Sequence, residues 1–107
     1  MTFNKWDVWL AKVRYEDSMN IKIRPVLIID TKLMTVFALK MTGQNPRANY
    51  SGEYSVIKWH EAGLDKQTVI RASKKLSLCD SDFVKRLGRL QVIDIVNIKS
   101  ILQSIRE

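Results

Sequence analysis

The spacing of the apolar residues changes once along this chain, and that change limits the fold more than any other feature. Through residue 71 the apolar side chains come in short, strand-like runs; in the last third they return every three or four residues. Trp9, Ala11, Val13 and Tyr15 alternate with Lys12 and Arg14, so residues 6–15 are expected as a first strand. Glu16-Asp17-Ser18-Met19-Asn20 breaks the alternation and reads as a loop. Arg24-Pro25 then opens a second strand over 26–30, with proline, which lacks an N–H, placed at its start. The unbroken Val26-Leu27-Ile28-Ile29 implies burial on both faces. A turn at 30–32 leads into a third strand over 33–41, ended by the turn residues Thr42-Gly43-Gln44-Asn45-Pro46. Shorter strands are expected at 54–59 and 68–71, joined by a connection over 61–66. Asp80 or Ser81 can cap a short helix running through Leu87, with Gly88 as its stop. A second helix, 91–105, carries Ile95, Ile98, Leu102 and Ile105 as one apolar stripe. Short strands followed by a C-terminal helix predict a mainly β fold: a small, strongly curved sheet or barrel plugged by that helix.

The 107 residues are expected to form one domain over 1–107, and 46 % hydrophobic content is enough for a single core and too much for a disordered chain. No apolar run approaches the length of a membrane span. The N-terminal residues lack the pattern of a secretory signal, so a cytoplasmic location is expected. Cys79 is the only cysteine, which excludes an internal disulfide and a cysteine-rich zinc site; it is expected as a small buried or half-buried apolar residue. His60 is the only histidine, so no two-histidine metal site exists within one chain, and neither metal nor cofactor is expected. The net charge of +7 points to a polyanionic partner, either nucleic acid or an acidic protein. Charge alone is equally compatible with a merely soluble basic domain.

Five stretches, in this order, carry a resemblance. They are Asp7-Val8-Trp9-Leu10-Ala11, Lys22-Ile23-Arg24-Pro25-Val26-Leu27-Ile28-Ile29, Ala38-Leu39-Lys40-Met41-Thr42-Gly43, Ala62-Gly63-Leu64-Asp65-Lys66-Gln67-Thr68-Val69-Ile70 and Gly88-Arg89-Leu90. Together they span nearly the whole chain and resemble the PemK/MazF family of toxin endoribonucleases. The resemblance implies an SH3-like barrel with a C-terminal helix and a homodimer. It also implies cleavage of single-stranded RNA without a metal, and inhibition by a cognate acidic antitoxin. The chain departs from the family at three places. Trp6 stands where a glycine usually precedes the first strand. The segment 16–22 has no glycine. Arg71-Ala72-Ser73-Lys74 stands where many members have an acidic or amide residue.

Metal-free RNA cleavage uses the ribose 2′-OH as nucleophile and needs charge stabilisation on the phosphate. Arg24 suits that task, because its guanidinium is permanently charged and can hold two phosphate oxygens. With a pKa above ~12 it is a poor base, so an electrostatic role is expected. Thr42 matches the family's other catalytic position, and its hydroxyl can donate to the phosphate beside the N–H groups of the following turn. Lys22, Lys40, Gln44 and Arg47 flank these two and are expected to contact phosphates and bases; a solvated surface is the plainer role for them. His60 lies outside the matched motifs and is expected to be a surface or packing residue. Trp6, Trp9 and Trp59 suit a barrel core better than base stacking. Two other functions remain possible: a gyrase-poisoning toxin of the same fold, against which the ending Gln103-Ser104-Ile105-Arg106-Glu107 speaks because it has no tryptophan, and a non-catalytic SH3-like nucleic-acid-binding module.

Overall fold

In the computed structural model, which describes residues 2–14, 20–46 and 52–105, six strands and one helix follow in chain order. They are β1 (Asp7–Arg14), β2 (Ile21–Lys32), β3 (Thr35–Thr42), β4 (Glu53–Ser55), β5 (Val69–Leu78), β6 (Phe83–Arg89) and α1 (Val92–Ile105). The strands form one antiparallel sheet in the order β4-β5-β3-β2-β1-β6. The result is the expected mainly β fold, a six-stranded sheet followed by a C-terminal helix.

The Val26-Leu27-Ile28 run shows why the sheet is buried on both sides. Leu27 joins Val8, Leu39, Met41, Ile70 and Ile98 in one core cluster, packed under α1. Its neighbours Val26 and Ile28 point the other way, into a second cluster with Trp9, Ala11, Val13, Ala38 and Phe83. Trp6 and Trp9 are core residues, as expected. Trp6 is also in the left-handed region, at φ 75°. A non-glycine residue there costs about 1–2 kcal/mol. Burial of the indole offsets this, as do backbone hydrogen bonds from Trp6 N–H to Ile28 O and from Leu90 N–H to Trp6 O. The chain keeps the turn that glycine usually supplies and fills it with packing surface.

Several boundaries differ from expectation. Pro25 lies inside β2, because the strand begins at Ile21; residues 21–25 pair only with β1, so the missing N–H is tolerated on the open side. β2 continues through the expected turn at 30–32 to Lys32, and the reversal is Leu33-Met34, with Leu33 at φ 56°. β4 is only three residues long, and Ile57 and Lys58 instead donate their N–H groups to the Asp94 carboxylate, which draws the chain off the sheet. β5 runs seven residues past the expected end at Arg71. Leu39 pairs with Lys75 but Lys40 with Arg71, so residues 72–74 form a bulge that hides the alternation.

The largest correction is at 80–87. The expected helix is a single 3₁₀ turn, Asp80–Asp82, followed by strand β6. β1 presents an open edge there, and pairing with it buries Phe83 against Phe3 and Trp9, with ring centroids 4.5 and 5.6 Å apart. It also brings Arg86 Nε to 3.2 Å from the buried Asp7 carboxylate. Cys79, expected to be buried or half-buried, is exposed at the strand-to-turn junction. In α1, Ile98 is fully buried and Ile95 and Leu102 pack beside it, whereas Ile105 is partly exposed.

Candidate active site

The site grows out of the sheet register. β2 and β3 pair from Val26–Lys40 onward. Before that point β2 pairs with β1 alone, and Met41 and Thr42 of β3 pair with β5 alone. The two strands therefore part, and the gap between them is a cleft of about 780 Å³. Because side chains alternate, Lys22 and Arg24 continue the face that carries Val26 and Ile28. Lys40 and Thr42 likewise continue the face of Val36 and Ala38. One face of the sheet is thus core along half its length and cationic cleft along the rest.

Lys22, Arg24, Lys40, Thr42 and Gln44 all line this cleft. Arg47 lies outside the described residues. Arg24 is exposed and its Nη1 donates to the carbonyl of Ile23 at 2.9 Å. Thr42 Oγ1 accepts from the Gln44 N–H at 3.2 Å, which closes the turn and leaves the hydroxyl hydrogen available to donate elsewhere. His60 is exposed, stands edge-on to Trp59 and does not line the cleft.

Two further cleft residues were not among those expected to contact RNA. Lys66 lies against the Thr42-Gly43 turn: a Cβ at Gly43 would stand 2.5 Å from Lys66 Cε and 2.9 Å from Nζ. Its loop is held by a close backbone approach. Gly63, at φ +93°, abuts the Leu87 carbonyl, and Gly88 abuts the Ala62 carbonyl; a Cβ at either would collide with backbone. Two motifs separated by more than twenty residues in sequence are therefore one contact, which places Lys66. The second residue is Arg71. Its Nε lies 3.5 Å from Glu53 Oε2, and its Nη2 donates to Gln44 Oε1 at 3.3 Å. Lys66 is a cation in a connecting segment with no further signal in the sequence, whereas Arg71 stands where the chain departs from the pattern of the family it resembles.

Among the described residues, five cations, Lys22, Arg24, Lys40, Lys66 and Arg71, line the cleft against one carboxylate, Asp65. Such a surface attracts phosphates and can stabilise negative charge developing on them. Among the described residues no three His, Cys, Asp or Glu side chains gather as a metal site would require. Among them, too, no helix is long and apolar enough to cross a membrane.

With this geometry in view, comparison with known proteins identifies the family. The model of the "PemK-like, MazF-like toxin of type II toxin-antitoxin system" matches residues 4–105, and the chain belongs to that family. The toxin MazF-mt6 of Mycobacterium tuberculosis has a similar structure, with 18 % identity, a TM-score of 0.72 and coverage of 92 % of this chain and 93 % of that one. An endoribonuclease from a mycobacterial species, in complex with its cognate antitoxin, has 14 % identity and a TM-score of 0.71, covering 96 % and 93 %. A second mycobacterial endoribonuclease has 13 % identity and a TM-score of 0.70, covering 94 % and 86 %. No curated protein sequence matches the chain.

Proposed function

We propose that the protein is a toxin endoribonuclease. In this reading it cleaves single-stranded RNA in the cytoplasm without a metal and is neutralised by a cognate acidic antitoxin. The observation that carries the reading is the meeting of Arg24 and Thr42, from strands that have just parted, in one cation-lined cleft of a chain of this toxin family. The 2′-hydroxyl gives up its proton to solvent as its oxygen attacks phosphorus, the bond to the 5′-oxygen breaks and that oxygen takes up a proton from solvent, and a 2′,3′-cyclic phosphate results. Arg24 stabilises the charge on the non-bridging oxygens. The Thr42 hydroxyl donates to one of them, and Lys66, against the same turn, adds positive charge. These groups supply the electrostatic stabilisation that a metal gives other nucleases. The named activity of two similar structures supports the reaction class, and one neighbour's complex with an antitoxin supports the partner. Exposed Val92 and Val96 on α1 support a pairing of two copies.

The decisive experiment is incubation of the purified protein with single-stranded RNA in EDTA. We expect cleavage products ending in cyclic phosphate; activity lost in EDTA and restored by Mg²⁺ would overturn the metal-free mechanism. Sedimentation should give a species near twice the 12.4 kDa chain mass. Antitoxin affinity should fall steeply with salt, because acidic groups would meet the same cations that hold RNA.

A further inference from the structure

We infer that the cleft selects a keto group over an amino group on a base beside the scissile phosphate, through a Gln44 amide held with its donor end outward by Arg71. The inference rests on the proposal that the cleft binds RNA. It begins with the position of Arg71. In the ladder Arg71 stands between Lys40 of β3 and Glu53 of β4. The Glu53 side chain is 2 % exposed and that of Arg71 13 %, so the ion pair anchors the guanidinium from its inner edge. Its outer nitrogen, Nη2, then reaches Gln44 Oε1 at 3.3 Å.

A guanidinium has five donors and no acceptor, so only the amide oxygen of Gln44 can face it. The NH₂ group is left at the far end of the amide, in a cleft that Gln44 lines. The backbone fixes where this happens: the Gln44 N–H is bonded to Thr42 Oγ1, so the amide is two residues from the proposed catalytic hydroxyl. A nucleotide whose phosphate lies at Thr42 therefore places a neighbouring base within reach of a group that only donates. Uracil O4 and guanine O6 accept such a bond. Cytosine N4 and adenine N6 are donors and would set donor against donor. Lys40 and Lys66, also donors in the cleft, push in the same direction. An acidic residue at position 71 would bind the NH₂ end instead and turn the oxygen outward.

The test needs no knowledge of the cleavage site. Single-stranded 2′-deoxy homopolymers bind without being cut, because the attacking hydroxyl is absent. Deoxyuridine and deoxycytidine oligomers differ at the C4 keto or amino group. Deoxyinosine and deoxyadenosine oligomers differ at the corresponding C6 group. Fluorescence anisotropy should show the keto member of each pair bound about tenfold more tightly. Gln44→Glu, which only accepts, should reverse or abolish the preference. Arg71→Met should bring the ratio toward one by freeing the amide to turn over, and Arg71→Lys should recover part of it. A loss of structure would weaken all oligomers together and leave the ratio unchanged, so the ratio separates positioning from folding. Equal affinities in the wild-type protein, a preference unaltered by Gln44→Glu, or no binding of any oligomer would overturn the inference. RNA cleavage without the keto preference would leave the ribonuclease reading standing and remove this one; the preference without cleavage would do the opposite.

Discussion

The two ends of the sheet treat charge in opposite ways. Beneath α1, Asp94 is fully buried, yet its carboxylate accepts hydrogen bonds from the Tyr54 hydroxyl at 2.6 Å and from the N–H groups of Ile57 and Lys58 at 2.8 and 2.9 Å. Asn97 Nδ2 in turn donates to the Tyr54 oxygen at 2.9 Å. The carboxylate also lies in the first turn of the helix, where the dipole favours it. Charge at this end is satisfied within the protein and ties helix to sheet. At the cleft end, among the described residues, cations outnumber carboxylates, and Lys40 stands directly across the ladder from Arg71, which is itself paired with Glu53. A cationic surface of this kind attracts polyanions from outside the chain.

Substitutions that affect one end and spare the other break or sharpen this contrast. The largest effect is expected for Arg24→Ala: loss of a charge partner in the transition state costs ~2.7–4 kcal/mol, or ~100–1000-fold in cleavage rate. Its thermal melting should stay close to wild type, since Arg24 is exposed and, among the described residues, its guanidinium bonds its neighbour's carbonyl. Asp94→Ala should do the reverse. It strands the Tyr54 hydroxyl and two backbone amides, with a cost of about 3 kcal/mol in urea unfolding, while cleavage per folded molecule holds. Thr42→Val should slow cleavage by ~10–100-fold, as suits a neutral donor, with stability little changed.

A subtler effect follows from Tyr54. Burial, and then the hydrogen bond to Asp94, push its hydroxyl from the ordinary 10.0 up to about 12. The folded state therefore holds this proton more tightly than the unfolded chain does. Its contribution is fully present below pH 10 and is lost as pH rises toward 12. Chemical denaturation across that window should show a steeper alkaline loss for wild type than for Tyr54→Phe. The smallest effect is expected for His60→Ala, within about 0.5 kcal/mol in stability and with cleavage nearly intact. A dead His60→Ala variant would move the chemistry away from the cleft.

Periodicity says which side chains share a face. From it alone come the first and third strands to within two residues, the middle of the second, the helix with its Ile95, Ile98 and Leu102 stripe, and the two-sided burial of Val26-Leu27-Ile28. Arg24 and Thr42 were named through the resemblance, Arg24 standing before an apolar run at a proline and Thr42 after one at a glycine. What periodicity cannot say is which strand an open edge will recruit. Phe83–Arg89 has enough caps and spacing to pass for a helix, and only the free edge of β1, with Asp7 waiting for Arg86, makes it a strand. The second half of β5 was hidden because a bulge at 72–74 breaks the alternation that marks a strand. Lys66 and Arg71 reach the cleft through contacts distant in sequence, Gly63 against Leu87 and Glu53 beside Arg71. Local chemistry thus determined the elements and the two residues at their ends. Long-range pairing decided which strands separate, where the cleft opens, and which cations stand in it.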